Sequence, residues 1–547
     1  MINNKLQINK FWEKHTLENN KIFEMYIKGY INSHSIEELK NILSKINKEE
    51  LSEFINAIDG HFALVVKRED FWFASVDKVR TTPIFFTKIN NNFQVDYNPN
   101  NLISLKTFDK EINEQAKLEI EMSGFTIGNK TIFKNLHSLK AGELVIFEEN
   151  THEYIQYYKY FGDIIDKDYN EYLQELYDVT INIFKKLVKN IGDRQIIIPL
   201  SAGNDSRLVA SALKHLGVEN VLCYSYGTEG NFEANIAKII SQKLGYKWIF
   251  IPLSHTSERK FYTSKDYENY LNYAQTYSSV PYIQSLSTIK YLEELNLLDK
   301  DAIFINGNTG DFISGSHITK MMKSHNQLAS KEERKENILN ALIDKHFSLW
   351  GYLKTKENID KIKKELWNEI TLGIGELCED NSKDHLYYEY NEFIDRQCSY
   401  VNTAQKIYEF YGYNWRMPLW DDEYIKFFEN VPAKYKINQK LYVDMLEKYN
   451  LGNVWGDDIP VNKKTITPKW IIPIRNLAKI PFIFLGKEKW KNFEKCFLNY
   501  WMEVIRLYDI IPYYKTILSI KKEPRNVISY LTEIYIYNIK NNLKGRK

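Results

Sequence analysis

A run of small polar residues near the middle of the chain has the composition of a phosphate-binding turn. Ser201-Ala202-Gly203-Asn204-Asp205-Ser206 directly follows an apolar run that ends at Leu200 and directly precedes a helical pattern. Such a turn aims backbone N–H groups and a helix dipole at an anion, and serine hydroxyls add donors. It lacks the lysine of the G-x-x-x-x-G-K-[ST] loop, which excludes an ordinary P-loop NTPase. The alternative is that Asp205 only caps its helix.

The elements around this turn alternate between strands and helices. The pattern predicts strands at 194–200, 221–227, 247–253 and 301–307, with helices at 205–217 and 231–245. Alternation of this kind is typical of βαβ units and a parallel sheet. Because ligands bind at the carboxyl edge of such sheets, the turn lies where a site is expected.

The rest of the chain differs in pattern on either side of this region. Between Phe23 and about Tyr160, short apolar runs separated by turn residues predict an antiparallel β unit, interrupted by one helix from Ser35 to Ile55. Helical periodicity begins after Asp166. We therefore expect an α/β multidomain protein with an N-terminal β sandwich at 1–165, a parallel-sheet domain at 166–470 and a helical extension at 471–547.

The extension is strongly basic and aromatic. Residues 463–547 hold 18 Lys and Arg against 6 Asp and Glu. A segment of this composition can lie against an anionic membrane or an acidic partner. It can equally be a helical extension whose lysines cover a packed face, and both alternatives stay open.

The overall composition narrows the classes of partner. With 73 Lys and Arg against 71 Asp and Glu, a net charge of +2 gives no field for a dedicated nucleic-acid binder. Four scattered cysteines without a C-x-x-C pair support neither a disulfide framework nor a zinc knuckle. The sequence has no signal-peptide core and no apolar run near 18 residues, so we expect a cytoplasmic protein. Peripheral contact at the inner face of the membrane and a homodimer are left open.

Several segments resemble the asparagine synthetases and β-lactam synthetases, which carry an N-type ATP pyrophosphatase domain. The turn S-x-G-x-D-S is similar to the family's S-G-G-x-D-S, and Tyr224-Ser225-Tyr226-Gly227 is similar to the strand beside the nucleotide. Further along, the segments 307–315, 414–421 and 459–464 resemble G-E-G-A-D-E-L-F-G-G, E-x-R-x-P-F-L-D and P-x-x-x-x-R-x-K. In the β unit, the segments 59–67, 76–77 and 82–86 resemble elements of a class II glutaminase domain of Ntn-hydrolase type. The resemblance covers about residues 20–470.

This resemblance implies an ATP-dependent amide-forming reaction that releases AMP and pyrophosphate. A substrate carboxylate attacks the α-phosphate, and a nitrogen nucleophile then displaces AMP from the acyl-adenylate. The implied catalytic residues are Asp205, Asp311 and Lys464, with the neighbouring Lys463 as the alternative register. Asp205 and Asp311 would also hold Mg²⁺. The residues implied for ATP binding are Leu200, Ser201, Gly203, Asp205, Ser206, Ser225, Gly227 and Gly307.

Departures from the family pattern bear on the nitrogen source. The glutaminases of this family carry a cysteine after the initiator Met, whereas this sequence has Ile2 there and its first cysteine is Cys223. We therefore expect no glutaminase activity and a β unit kept as a scaffold. Glutamates of the synthetase motifs are also replaced, by Asn308, Phe312 and Asn414.

Three functions remain open. The first, which we favour, is a ligase that joins ammonia or an amine to the carboxylate of a small molecule or glycan, such as a uronic acid in surface-polysaccharide biosynthesis. The second is an intramolecular amide-former resembling β-lactam synthetases or lasso-peptide cyclases. The third is a catalytically silent binding homologue, against which the retained Asp205, Asp311 and Lys464 argue.

Overall fold

The N-terminal region folds into two antiparallel sheets. The computed structural model describes residues 10–17, 20–148, 151–318, 329–461 and 465–544. The strands are β1 Trp12–Leu17, β2 Asn20–Ile31, β3 Gly60–Lys67, β4 Trp72–Val76, β5 Phe85–Ile89, β6 Asn92–Asp96, β7 His137–Ser138, β8 Glu143–Glu148 and β9 Thr151–Gln156. The larger sheet has the order β1-β2-β3-β4-β8-β9, and the smaller has β6-β5-β7.

Alternate side chains of the larger sheet build two separate cores. Val65, Ala74 and Val145 face Phe86 and Phe93 of the smaller sheet. On the other face, residues such as Leu64 and Phe73 pack on the helices Ile36–Leu43 and Lys48–Ala57. The period-2 alternation of the strands places successive residues on opposite faces, which produces these two layers.

The third sheet is parallel and contains the strands that were expected around the phosphate turn. Its strands are β10 Ile196–Pro199, β11 Val221–Gly227, β12 Lys247–Pro252, β13 Ile303–Ile305 and β14 Asn414–Arg416. They pair in parallel in the order β12-β11-β10-β13-β14. The carboxyl ends of the central β10 and its neighbours β11 and β13 therefore meet at one edge. The α/β multidomain prediction is confirmed.

Helices surround the sheets and form the region after them. In the N-terminal region they also include Pro99–Ile103 and Glu114–Ser123. Around the parallel sheet they are Tyr169–Ile191, Asn204–His215, Phe232–Leu244, His255–Tyr262, Lys265–Ala274, Leu286–Glu294, Gly310–Ile313, Lys331–Lys345, Lys356–Ile374, Asp384–Asn391, the π-helical Glu392–Tyr400, Gln405–Phe410, Asp422–Glu429, Ala433–Lys436 and Lys440–Tyr449. The C-terminal helices are Ile471–Lys479, Phe482–Leu485, Lys487–Phe497, Asn499–Met502, Tyr513–Leu518 and Val527–Lys544. Within the described residues, no helix is long and apolar enough to cross a membrane.

One predicted helix is divided in two. The segment predicted as a single helix from Ser35 to Ile55 forms Ile36–Leu43 and Lys48–Ala57. Ser35 begins the first helix with a capping box to Glu38. Asn47 has an extended backbone, with φ −78° and ψ 157°, and so restarts the chain as the second helix.

Candidate functional site

The turn after β10 is held in shape by its own serines. The backbone N–H of Ser201 donates to Oγ of Ser206 at 3.0 Å, and the N–H of Gly203 donates to Oγ of Ser201 at 3.1 Å. The two hydroxyl oxygens lie 3.1 Å apart. The helix Asn204–His215 begins at Gly203, which makes no side-chain cap within the described part of the chain. Its first turn is therefore oriented as an anion-binding helix terminus.

The interpretation of Asp205 as a helix cap is wrong. The N-cap position is Gly203, and Asp205 lies inside the first turn. One carboxylate oxygen, Oδ2, accepts a hydrogen bond from the backbone N–H of Asp311 at 3.0 Å. The other, Oδ1, accepts from the hydroxyl of Tyr442 at 3.1 Å. The carboxylate thus points away from its own helix, toward the ends of β10 and β13.

A cleft of about 480 Å³ opens at this edge of the sheet. Most of the residues predicted to bind ATP or metal line it, namely Leu200, Ser201, Gly203, Asp205, Ser206, Ser225, Gly307 and Asp311. Gly227 ends β11 nearby and packs against Val504 rather than lining the cleft. Further side chains complete the walls, including Tyr226, Glu233, Tyr282, Gln284, Tyr408 and Gln439.

Gly307 is required by the close approach of β13 to the phosphate turn. A Cβ at this position would lie 2.6 Å from Cβ of Asp205 and 2.8 Å from the backbone nitrogen of Ser206. No side chain fits at these distances, so a glycine allows the two predicted segments to meet. The glycine that begins the segment 307–315, as it begins the family motif, is therefore required by close packing in this fold.

The two aspartates form a close acidic pair. Burial raises the pKa of Asp205 to about 8, and the charge of Asp311 adds to the shift. Desolvation acts in the same direction on Asp311, but the hydrogen bond and the positive charge of His317, together with the backbone N–H of Phe312, hold the pKa of Asp311 below its usual value. Adjacent carboxylates of which one resists ionisation are a donor set that suits a divalent cation.

These residues fit Mg²⁺ bound together with phosphate rather than a metal cage made by protein alone. No group of three or more His, Cys, Asp or Glu residues that could hold a metal occurs in the described ranges. Mg²⁺ commonly uses one or two carboxylates and fills its remaining positions with water and phosphate oxygens. Asp205 and Asp311 beside the phosphate turn match that donor set.

A hydrogen-bond network that the sequence analysis missed connects Asp311 to buried side chains. Nε2 of His317 lies 3.0 Å from Oδ2 of Asp311, and its Nδ1 hydrogen-bonds to the fully buried Glu392. Burial alone would lower the pKa of His317, but the charges of Glu392 and Asp311 raise it to about 9. Gln397 donates to Glu392 and accepts from Thr309, which closes the network.

No local signal in the sequence links these residues. Glu392 and Gln397 belong to the π-helical segment Glu392–Tyr400, and π-helical turns are frequent at functional sites. Periodicity does not distinguish a π-helix from an α-helix over so short a stretch. His317 lies six residues after Asp311, so proximity along the chain was the single available hint.

Arg207 fixes the segment that leads to the predicted catalytic lysine. Its side chain is fully buried and donates to the carbonyls of Val454, Ile459, Pro460 and Ala202 at 2.9–3.2 Å. Lys464 and Lys463 lie outside the described residues, and the segment 454–460 just before them is tied to the phosphate turn through Arg207.

The C-terminal extension supplies one wall of the cleft. Val504 and Ile505 line it. The carbonyl of Val504 accepts from the backbone N–H of Thr228 at 2.8 Å and from its hydroxyl at 3.2 Å. Arg506 and Asp509, both almost fully buried, tie this loop to His255 in the parallel-sheet domain. The basic extension therefore has a structural role at the carboxyl edge of the parallel sheet.

Comparison with known protein families agrees with this geometry. A family model described as asparagine synthase matches residues 186–460, which is just over half of the chain. A second, described as a glutamine amidotransferase domain, matches residues 37–159. A search among curated proteins gave no match. The two models occur in the order predicted from the motifs. The asparagine synthase model spans the phosphate turn, the acidic pair, and Arg207 with the segment that it binds. The chain therefore belongs to the asparagine synthase family.

Proposed function

We propose that the protein adenylates a substrate carboxylate with ATP and converts it to an amide, releasing pyrophosphate and AMP. At the level of the family, the asparagine synthase domain supports an ATP-dependent amide-forming ligase. The observation that carries the proposal for this chain is the contact between Asp205 of the phosphate turn and the backbone of Asp311. Through this contact, a turn suited to phosphate and an acidic pair suited to a cation lie in one cleft.

In the first step, a carboxylate oxygen forms a bond to the α-phosphorus, and the bond from that phosphorus to the bridging oxygen breaks. The N–H groups of the turn and the hydroxyls of Ser201 and Ser206 bind the departing pyrophosphate. Mg²⁺ held by Asp205 and Asp311 would neutralise charge on the phosphates when bound. Tyr442 and the Asp311 N–H orient the Asp205 carboxylate for that task.

In the second step, a nitrogen nucleophile attacks the acyl carbon, the bond to AMP breaks, and the nitrogen loses a proton. We propose that this nitrogen does not come from glutamine hydrolysed by the β unit. Residues 1–222 contain no cysteine, and burial in β11 raises the pKa of Cys223 to about 12, so its thiol is not activated. Ammonia, an external amine or an amine of the substrate itself then supplies the nitrogen.

For the substrate we propose a carboxylate on a surface-polysaccharide intermediate, such as a nucleotide-linked or lipid-linked uronic acid. The support is the basic composition of the C-terminal extension, whose residues Val504 and Ile505 line the cleft. A peptide or amino-acid substrate that cyclises internally is the competing outcome of the test.

The test is pyrophosphate release with ATP across a panel of uronic acids, peptides and amino acids, each with ammonium, with glutamine or without either. We expect release with a uronic acid and ammonium, and no glutamate from glutamine. Asp311→Asn should abolish release, whereas Asp360→Asn, at an exposed helical carboxylate, should not. Turnover of a peptide without added ammonium would replace the glycan proposal by the intramolecular one. Release that is equal in both variants would contradict the assigned site.

A further inference from the structure

The helical extension presents a cluster of apolar side chains to solvent, which we call the apolar tip, residues 477–485. Phe484 is 90% exposed, Ile483 73% and Leu477 68%. Ile480 and Leu485 are also more than half exposed. Soluble proteins rarely expose large neighbouring apolar side chains in such a set, and a cluster of this kind marks an interaction surface.

The tip is held in place by a small core of its own. Ile471, Trp490 and Leu498 are buried beneath it, with Phe482 and Phe493 packed against them. The ring centroids of Phe482 lie 5.4 Å from Trp490 and 5.0 Å from Phe493. Since Phe482 turns inward and Ile483 and Phe484 turn outward, the fold itself selects which apolar residues face solvent.

Positive charge surrounds the tip. Exposed lysines before, within and after it are Lys469, Lys479, Lys487, Lys489 and Lys491. Over residues 469–495, seven Lys and Arg face two glutamates, Glu488 and Glu494. An apolar patch ringed by lysines is the pattern of a protein that binds the surface of an anionic bilayer.

A basic cavity lies along the helix that follows the tip. It measures about 480 Å³ and is lined by five cationic residues, Lys354, Lys489, Lys491, Lys495 and Arg525, and by three acidic ones, Asp344, Glu488 and Glu523. Asp344 pairs with Lys354, and Glu488 pairs with Lys491. Burial lowers the pKa of Lys495, and the charge of Arg525 adds to that effect. Because the cations outnumber the carboxylates, the lining keeps an excess of positive charge, which favours an anion of headgroup size.

We propose that the apolar tip inserts into the interface of an anionic lipid membrane, with the surrounding lysines on the headgroups and a lipid phosphate at the basic cavity. The positive charge around the tip favours an anionic membrane over a second copy of the chain. A two-fold contact through the same patch would bring two sets of lysines together. The inference concerns a different face from the cleft and does not depend on the proposed reaction.

The test is co-sedimentation of the full chain with vesicles of phosphatidylcholine alone and of equal parts phosphatidylcholine and phosphatidylglycerol. We expect binding to the anionic vesicles that weakens with salt, and little binding to the neutral ones. Ile483→Ser with Phe484→Ser should weaken binding about tenfold or more, given the apolar area these side chains would bury. Leu372→Ser, at a residue 81% exposed on a different helix, is the matched control and should bind like the unchanged chain.

Because the replaced side chains face solvent, thermal unfolding should be the same in all three proteins, which separates lost binding from lost folding. Lack of binding to anionic vesicles, or equal binding by the double variant, would overturn the proposal. Concentration-dependent self-association that disappears in the double variant, without vesicle binding, would assign the tip to a second copy instead.

Discussion

Arg207 shows how a single side chain can connect distant parts of an active site. A guanidinium buried without a carboxylate partner is costly unless its donors are satisfied. Here four backbone carbonyls accept hydrogen bonds from Nη1 and Nη2, and three of them belong to the segment 454–460, whereas Nε has no hydrogen-bond partner in the described part of the chain. The side chain therefore loses its hydration on folding, and its hydrogen bonds fix the position of the segment that leads to Lys464.

We predict that Arg207→Met lowers the free energy of unfolding by about 3 kcal/mol or more, because several buried carbonyls lose their donor at roughly 1–3 kcal/mol each. Urea unfolding measures the change. Arg194→Met is the control, since this arginine is half-buried and donates to carbonyls of its own helix end. A similar loss in both variants would contradict the anchoring role, and so would an unchanged kcat in a folded Arg207→Met protein.

Glu258 provides a prediction of pH dependence. Burial raises its pKa to about 7, against about 4.3 in an unfolded chain. The folded state therefore keeps a proton that the unfolded state releases, so stability falls as pH rises from about 4.5 to 7 and stays lower above it. Glu258→Gln should be more stable than the unchanged chain at pH 8, by about 2–3 kcal/mol, with no advantage at pH 4. An advantage that does not vary with pH would disprove the assignment.

At the scale of elements, the loop at Val504 connects the C-terminal extension to the carboxyl edge of the parallel sheet. A Cβ at Gly227 would lie 2.9 Å from both Cγ1 and the carbonyl oxygen of Val504. Gly230, three residues later, also has a positive φ, of 74°, but its position is open to solvent. Replacing Gly230 therefore measures the cost of the backbone conformation alone. Replacing Gly227 adds the cost of moving Val504 in the wall of the cleft.

We predict that Gly230→Ala loses about 1 kcal/mol of stability and leaves the KM for ATP unchanged. Gly227→Ala should in addition raise the KM for ATP about tenfold, because the displaced Val504 no longer closes the cleft. Steady-state kinetics and thermal unfolding of both variants provide the comparison. If the KM values were equal, the extension would not form part of the nucleotide site.

The sequence predicted the parallel sheet well, because β-branched runs and capped helices are local signals. It also placed Ser201, Asp205, Gly307 and Asp311 at one sheet edge, since parallel strands bring their carboxyl ends together. It could not predict Arg207, Glu392 or Val504, whose contacts join residues some 75–280 positions apart. Nor did composition reveal that a basic extension includes a buried loop with Arg506 and Asp509.

At the scale of the whole molecule, the β unit is packed against the parallel-sheet domain. Lys28 of β2 forms a buried ion pair with Glu409 at 2.7 Å, and Trp415 donates to the same carboxylate at 3.0 Å. Nε2 of His61 lies 3.1 Å from the carbonyl oxygen of Trp420, and Asn402 donates to the carbonyl of Val79. Contacts of this kind are what a scaffold role of the β unit requires.

We predict that Glu409→Ala costs about 3–5 kcal/mol, because it leaves Lys28 buried without its partner. Glu24→Ala, which breaks the more exposed pair of Glu24 with Lys14, should cost about 1 kcal/mol or less. Denaturant unfolding followed by tryptophan fluorescence and by circular dichroism should give coincident transitions in the unchanged chain. Two separate transitions would show that the β unit folds independently and does not act as a scaffold.

The central claim is that the carboxylate is activated as an acyl-adenylate. The direct measurement uses the carboxylate that turns over, labelled with ¹⁸O in both oxygens, together with ATP and ammonium, followed by mass spectrometry of the phosphorylated products. Because the carboxylate oxygen stays on the α-phosphorus when the amide forms, the account predicts one ¹⁸O atom in AMP and none in pyrophosphate. Label in inorganic phosphate together with ADP, or amide formation with unlabelled AMP, would contradict it.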